Sequence, residues 1–417
     1  MIRAVKGTRD ILPPASAVWN RVEEVARRVF RAYNYREIRT PIFEETALFA
    51  RGVGEETDIV SKEMYTWDDH GTSLTLRPEN TASVIRSYIE HRMDQLPGLV
   101  KLYYIGPMFR RERPQKGRYR QFFQIGAEAI GGDSPAVDAE VIEMVSEILT
   151  GAGLEGFKLL INSVGDANCR PIFVAALKEK LQDVKHTMCA DCQRRADTNP
   201  LRVLDCKVPE DQPIIETLPS ILDFLDDACR AHFEAVKTYL TDREIPFEVK
   251  PRLVRGLDYY MRTTFEIVHG SLGAQNSVLG GGRYDGLAEA LGSKVHAPGI
   301  GFSIGEDRLV MSVEEKYVDV DAVDLFIAPM GETAFRHCSL LAREIRRSGS
   351  IVELSPASGK LKKALETADK LKARYALIVG DDEIAAGTYS LKDMRSGEQL
   401  KVSRSELTGR FSSQETR

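Results

Sequence analysis

KLYYIGPMFRRERPQKGRYRQFFQIGAEAIG, residues 101–131, holds two strand-like apolar runs, LYYIGPMF and QFFQIGAEAIG, joined by a loop dense in cations. Arg110, Arg111, Arg113, Lys116, Arg118 and Arg120 fall within eleven residues, interrupted by Pro114 and Gly117. Pro and Gly punctuate the loop and aromatic residues flank it, the pattern of a hairpin with a long tip. Such a tip sets planar guanidinium forks beside phosphate, where bidentate donors outperform a point charge. A solvated basic loop is the plain alternative. Because the run is anchored between two apolar strands, with Glu112 and Glu128 nearby, a phosphate or nucleic-acid site is the better reading.

The chain's 417 residues exceed one ordinary core, so two or three domains are expected. Hydrophobic residues at 43% and charged residues at 29% describe a globular protein, not a disordered one. No apolar run approaches the roughly 20 residues that span a bilayer, and no membrane partner is expected. The opening MIRAVKGTRDILPP lacks the apolar core of a secretion signal. Six cysteines are too few and too unevenly placed for a disulfide framework, so a reducing, cytoplasmic setting is expected. The net charge of −5 argues against generic polyanion binding, but it conceals an asymmetry. From Val323 onward 16 Lys and Arg face 13 Asp and Glu, whereas the preceding residues carry 41 against 49. A mildly basic C-terminal segment on an acidic whole suits a module that touches nucleic acid.

Residues 15–33 place Val18, Val22, Val25, Val29 and Tyr33 at spacings of three and four, an amphipathic helix. REIRTPIFE (36–44) reads as a strand, which Pro41 confines to an edge or an interface. An extended piece, LTLRPEN, leads into a helix across 74–93; 135–150 is another helix and FKLLINSVG (157–165) a strand. Residues 166–245 are polar and mostly helical and read as an insertion, interrupted by TNPLRVLDCKVPEDQP (198–213). Strands return at PFEVKPRLV (246–254), FEIVHG (265–270) and SVLGGG (277–282), and a strand runs into a helix across 297–315. Hairpin connections make the main sheet largely antiparallel. From about Asp321, strands at 323–329, 350–355 and 375–380 alternate with helices at 332–348 and 359–374, which implies a small parallel or mixed α/β sheet.

Together these strings resemble histidyl-tRNA synthetases, members of the class II aminoacyl-tRNA synthetases, over essentially the whole chain. The first helix and the Pro41 strand resemble motif 1, a homodimer interface; MFRRER…RQFFQIGAE resembles motif 2, and GIGFSIGEDRL motif 3. RLVRGLDYYMRTTFE (252–266), LGGGRYDGL (279–287) and the opening KGTRDILP fit the histidine branch. The resemblance implies an α+β fold: a class II synthetase-like catalytic core over 1–320, its mainly antiparallel sheet flanked by helices and carrying the mostly helical insertion, then a small α/β anticodon-binding domain over 321–417. It also implies a ligase that uses L-histidine, ATP with Mg²⁺ and histidine tRNA, as a homodimer in the cytoplasm.

Activation by such an enzyme drives a carboxylate onto the α-phosphorus of ATP. Two anions repel, so fixed cations must carry the catalysis. The resemblance puts Arg110 between substrate carboxylate and α-phosphate, Arg255 opposite it, Arg308 on the γ-phosphate side, and Glu112 among the ATP contacts. An imidazole offers N–H donors and, when neutral, one acceptor, so a buried carboxylate with phenols nearby reads it by hydrogen bonds. Glu128 matches the family's carboxylate, with Tyr259, Tyr260 and Tyr284 around the ring. Adjacent strand residues point to opposite faces, so one of Tyr259 and Tyr260 is expected to be mainly structural. Glu79, Asn80, Thr81 and Gln124 are expected around the α-ammonium group, Asn80 standing where many bacterial relatives carry a small residue. Gln115, Lys116 and Arg118 at the loop tip are expected to touch the tRNA acceptor end, while Lys360, Lys362 and Lys363, near the start of the second helix of the C-terminal domain, have two readings, phosphate contacts or a solvated helix face.

LGGGRYDG lacks the GxxxxGK[ST] pattern of a phosphate loop; its glycines suit close backbone approach, with Arg283 and Tyr284 lining the pocket. Cys189-Ala-Asp-Cys192, with His186 before and Cys206 after, has partial zinc spacing. A second CxxC or a histidine pair is missing, so reduced cysteines and no protein-ligated metal are expected. Two rival readings are a non-catalytic histidine-binding regulatory subunit of the histidine-biosynthetic ATP phosphoribosyltransferase and an RNA-binding regulator on a retired synthetase scaffold. The first tends to lose the ATP-facing arginines and the C-terminal domain, both of which this chain keeps.

Overall fold

The computed structural model describes residues 2–55, 57–273, 276–317, 323–356 and 361–412. They form two compact units, one ending at Lys316 and the other beginning at Tyr317. The expected boundary at 320/321 and Lys360 lie outside the described residues.

In the first unit the strands are β1 (Arg36–Glu37), β2 (Phe43–Glu45), β3 (Tyr65–Asp69), β4 (Thr72–Leu76), β5 (Val100–Phe109), β6 (Gln121–Ile130), β7 (Lys158–Ser163), β8 (Glu248–Val249), β9 (Met261–Val268), β10 (Ser277–Arg283) and β11 (Gly299–Gly305). Its helices are α1 (Ala15–Ala32), α2 (Thr46–Val53), α3 (Thr81–Glu90), α4 (Pro135–Gly151), α5 (Arg170–Val184), α6 (Ala190–Thr198), α7 (Gln212–Ile215), α8 (Asp227–Asp242), α9 (Leu287–Ala290) and α10 (Glu306–Val313). The two apolar runs of residues 101–131 pair as β5 and β6 without a register break, from Val100 opposite Ile130 to Phe109 opposite Gln121. This hairpin sits inside a sheet of order β1-β5-β6-β11-β10-β9-β7-β8. Only the outermost pairs, β1/β5 and β7/β8, are parallel, so the sheet is largely antiparallel as its hairpins require. A layer of α1, α4, α8 and α10 packs on one face. In α1 the valine spacing buries Val18, Val22, Val25 and Val29.

Two strand expectations change. REIRTPIFE is two short strands in different sheets, because Pro41 cannot donate to a ladder. The Arg77 guanidinium takes the freed carbonyls of Thr40 and Pro41. β2 instead joins a small sheet of order β2-β4-β3. Its hairpin turns on His70 and Gly71, with φ 51° and 88°, the positive values of a type I′ turn. Within PFEVKPRLV only Glu248–Val249 is a strand. The Asn162 amide holds the carbonyls of Pro251 and Leu253 and bends the chain away from the ladder.

The insertion has its own apolar cluster, which includes Phe173, Leu177, Leu181, Val203 and Ile221. Its last helix, α8, packs on α4 of the main body, with His232 Nε2 2.8 Å from Asp138 Oδ2 and Arg243 Nε 3.1 Å from Glu143. Asp138 belongs to a buried charge cluster. Arg283, fully buried, donates to Asp138 Oδ1 at 2.5 Å, to Asp285 at 2.9 Å and to the Gly132 carbonyl at 2.6 Å. Arg283 therefore ties β10 to α4 instead of lining a pocket, as had been expected from its motif.

The second unit contains β12 (Leu325–Pro329), α11 (Glu332–Arg346), β13 (Val352–Leu354), α12 (Leu361–Lys370), β14 (Tyr375–Val379), α13 (Asp381–Ala386), β15 (Thr388–Asp393), β16 (Gln399–Ser403) and α14 (Arg404–Ser412). Its sheet, β13-β12-β14-β15-β16, is parallel over the first three strands and antiparallel beyond. Alternation along β12 sends Leu325 and Ile327 towards α11, and Phe326 and Ala328 towards α12. The β15–β16 hairpin extends the expected alternation; β16 is an edge strand that buries only Val402, so it carries little apolar signal.

Replacing Asp138 by Ala leaves the buried Arg283 guanidinium and His232 without a shared partner. A loss of about 3–5 kcal/mol in unfolding free energy is expected, read as a lower denaturant midpoint of the full chain. An unchanged midpoint would make the cluster energetically idle.

Candidate active site

Neighbouring residues on β5 face opposite ways, and two tyrosines mark the difference. Tyr103 stacks on Phe30 of α1, ring centroids 4.4 Å apart. Tyr104 faces the other side of the sheet, into a cavity of about 450 Å³. The cavity is walled by β5, β6, β10 and β11, the start of α3, the 254–260 loop and part of the insertion.

Five arginines line it, four of them from the motif strings and Arg202 from the insertion. Arg110 follows β5, donates from Nε to the Pro78 carbonyl at 2.9 Å and lies over the Phe122 ring. Arg308 opens α10 and donates to the carbonyls of Gly117 at 3.2 Å and Ser277 at 2.6 Å, joining the hairpin tip to β10. Arg255 pairs with Glu266 at 2.9 Å. It lies flat on β10 because residue 280 is glycine: a Cβ there would stand 1.6 Å from a guanidinium nitrogen. Arg118 pairs with Glu112 at 2.9 Å, and Glu112 is 3.8 Å from Arg110. Gln115 and Lys116 are exposed at the tip and do not line the cavity.

Carboxylates and phenols form the opposite wall. Glu79 accepts the N–H groups of Thr81 at 2.7 Å and Ala82 at 3.0 Å at the start of α3, and burial holds its carboxyl above the ordinary range. Tyr259 donates to Glu79 at 3.5 Å. Both Tyr259 and Tyr260 line the cavity, contrary to the expectation that one is structural. They stand in a loop before β9, where strand alternation does not apply, and Arg170 pins the Tyr260 carbonyl. Glu128 lies just beneath the wall, accepting from Thr81 Oγ at 2.8 Å and Tyr284 Oη at 2.6 Å. Opposite it Gly301 leaves room: a Cβ there would be 1.7 Å from Oε2. Burial pushes Glu128 up to about 8, against the pull of the Tyr284 and Thr81 hydroxyls.

Asn80 does not reach the cavity; its Oδ1 accepts from Thr40 at 2.6 Å and Arg77 at 3.5 Å. Tyr284 is held on Glu128, behind the wall. Sequence reading missed Tyr104, Glu266 and Ser303, which the strand phase around the motif strings would have offered. It also missed Arg202, Asp205 and Lys207, brought to the wall from the stretch noted only as interrupting the insertion. Among the described residues, Tyr104 Oη, Gln124 Oε1, Ser303 Oγ and Arg255 Nε are buried without a hydrogen-bond partner. Orphaned polar atoms converging on one cavity are the signature of a polar ligand.

The model of the family described as "Histidyl-tRNA synthetase" matches residues 7–309. The chain belongs to the histidyl-tRNA synthetase family. A second model, described as "Anticodon binding domain", matches residues 324–414. The chain is 73% identical over 412 residues to the histidine–tRNA ligase of Solibacter usitatus, covering 99% of each. To that of Koribacter versatilis it is 60% identical over 421 residues, covering 98% of this chain and 95% of the other. Among solved structures, apo histidyl-tRNA synthetase of S. aureus aligns with a TM-score of 0.80 and 41% identity over 99% of this chain and 100% of that one. The class II fold with its insertion and C-terminal α/β domain is the fold of this family, which is one of ATP-using ligases.

The raised Glu128 carboxyl has a measurable sign. Between about pH 4.3, the unfolded value, and about pH 8, the folded chain keeps a proton that the unfolded chain has lost. Its contribution to stability therefore falls as pH rises through that window. Glu128→Gln should be more stable than the parent at about pH 8, by on the order of a few kcal/mol, and the gap should shrink towards about pH 5. A pH-independent difference in melting temperature would count against the shift.

Proposed function

We propose that the cavity activates L-histidine with ATP, forming histidyl-adenylate and pyrophosphate, and then transfers histidine to the 3′-terminal adenosine of its tRNA. The observation that carries this reading is the meeting of Arg110, Arg255 and Arg308 with the buried Glu128–Thr81–Tyr284 group around one cavity. Arg110 and Arg255 flank the α-phosphorus, where negative charge grows as the carboxylate attacks, and Arg308 holds the γ-phosphate end. Mg²⁺ travels with ATP as part of the substrate, with Glu112 among its neighbours. Backbone carbonyls fix Arg110 and Arg308 beforehand, so little reorganisation accompanies the reaction.

Glu79, Thr81 and Gln124 bind the α-ammonium group; the unpartnered Gln124 Oε1 supplies an acceptor. Tyr259 and Tyr260 hold the imidazole, and an imidazole N–H reaches Glu128 by replacing the Thr81 hydroxyl on Oε1. An amino acid without that N–H leaves buried oxygens unpaired, which is how such sites discriminate. Arg118 and the exposed Gln115 and Lys116 meet the acceptor end. The C-terminal unit, with Lys362 and Lys363 exposed at the start of α12, reads the anticodon side. Exposed Ile42, Phe43 and Trp67 beside the motif 1 segment support a homodimer, and the setting is the cytoplasm. The regulatory-subunit reading is disfavoured by the three arginines held ready on the cavity wall.

ATP–pyrophosphate exchange, with each amino acid supplied singly and no tRNA, should proceed with histidine alone. A folded chain that binds histidine but supports no exchange would transfer the assignment to the regulatory reading. Glu128→Ala should raise the KM for histidine roughly 100-fold or more while leaving the KM for ATP within a few-fold; an unchanged histidine KM would remove Glu128 from recognition.

A further inference from the structure

The insertion brings four metal-ligating groups to one point. Cys189 caps the start of α6, Cys192 lies in its first turn, and Cys206 and Asp211 come from the loop that leads to α7. Their ligand atoms all lie within 4.8 Å of one another. Cys189 Sγ and Cys206 Sγ are 3.9 Å apart, and Cys206 Sγ is 3.2 Å from Asp211 Oδ2. With Zn–S near 2.3 Å and Zn–O near 2.0 Å, tetrahedral edges are about 3.8 Å for S···S and about 3.5 Å for S···O. The Cys189–Cys206 spacing matches the S···S edge, the Cys206–Asp211 spacing is slightly shorter than the S···O edge, and the remaining atoms lie close enough to close around a single ion.

We propose that Cys189, Cys192, Cys206 and Asp211 form a tetrahedral site for a thiophilic divalent cation, zinc. Sequence spacing offers three cysteines and His186 but no second CxxC or histidine pair. The fold leaves His186 exposed and supplies Asp211 instead. Three sulfur ligands select zinc over magnesium or calcium, which prefer oxygen. Cys192, Cys206 and Asp211 are buried, and Asp211 makes no ion pair with Lys, Arg or His among the described residues. The carboxylate accepts from the Cys189 N–H and the Cys206 thiol, and a divalent ion would take the place of the thiol proton.

Backbone N–H groups are also placed near the sulfurs. The Val208 N–H donates to Cys206 Sγ at 3.4 Å, and the N-terminal end of the nine-residue α6 faces Cys189 and Cys192. The Cys189 N–H orients Asp211 from a point 22 residues away in the chain, at 3.0 Å. Binding would release the thiol protons and yield three thiolates and one carboxylate on the ion. A second group, Asp166, Cys169, Asp226 and Cys229, is a poorer candidate. It offers two sulfurs where the first group offers three, and so selects a thiophilic ion less strongly. The ion would cross-link α6 to the 206–211 loop. Cys206 stands between Asp205 and Lys207, both on the cavity wall, so the same ion would brace that part of the active site.

The test is metal analysis of the full-length chain purified under reducing conditions, followed by cobalt substitution. One zinc per chain is expected, with cobalt giving thiolate charge-transfer bands and the intense visible absorption of a tetrahedral centre. Cys206→Ser and Asp211→Asn should each lower metal retention under a competing chelator by about tenfold or more, while Cys169→Ser should retain it. Should Cys206→Ser fail to fold, the parent chain decides alone: blocking its thiols with a mercurial should release one equivalent of zinc to a metallochromic dye. A folded parent chain with six freely titrating thiols and no cobalt spectrum would overturn the proposal, as would a Cys189–Cys206 disulfide in the freshly isolated protein.

Discussion

Everything around the main sheet depends on where buried guanidinium groups find partners. Arg283 is fully enclosed, and Asp138, Asp285 and the Gly132 carbonyl use its donors. A guanidinium satisfied in this way is a structural tie, since nothing remains to offer a ligand. Arg255 differs. It meets Glu266 through one nitrogen, while its Nε is buried without a partner beside the cavity. The two residues share a charge, and unspent hydrogen-bonding capacity beside the cavity separates Arg255 from the architectural Arg283.

The same accounting explains what was legible in the sequence. The β5–β6 hairpin was readable because two apolar runs flank a Pro- and Gly-punctuated basic loop, and both strands are central. The helical character of 166–245 and the α/β alternation after Val323 were readable for the same reason, since periodicity reports burial. The β3–β4 hairpin was hidden because its turn uses His70-Gly71 and its strands leave Trp67, Asp68 and Asp69 exposed. β16 was hidden because an edge strand buries almost nothing. Motif strings carried the cavity residues Arg110, Arg255, Arg308, Glu79 and Gln124. They misdirected where a residue is motif-adjacent but structural, as with Arg283 and Asn80. No periodicity announces that Asp211 will meet Cys189, because only the packing of α6 against the following loop brings them together.

Around Glu128 the structure resolves a conflict that the sequence only poses. A buried carboxylate is costly, yet recognition of an imidazole asks for one. Hydroxyls of Thr81 and Tyr284 occupy both oxygens, while burial favours the protonated form. Gly301 is what allows the carboxyl to lie against the sheet, so its placement depends on a missing side chain as much as on the hydroxyls that hold it.

The cations divide by how they are held, and the division fits two separate tasks. Arg110 and Arg308 are fastened by backbone carbonyls, and Arg255 is laid on a glycine. Groups fixed in this way suit stabilisation of a charge that accumulates at one point, because they need little reorganisation. Lys116, Lys362 and Lys363 are exposed instead, the placement that the proposed contacts with a nucleic acid would use. Fixed guanidinium groups for chemistry and exposed ammonium groups for capture are what one chain needs if it first joins an amino acid to a nucleotide and then passes it to a nucleic acid.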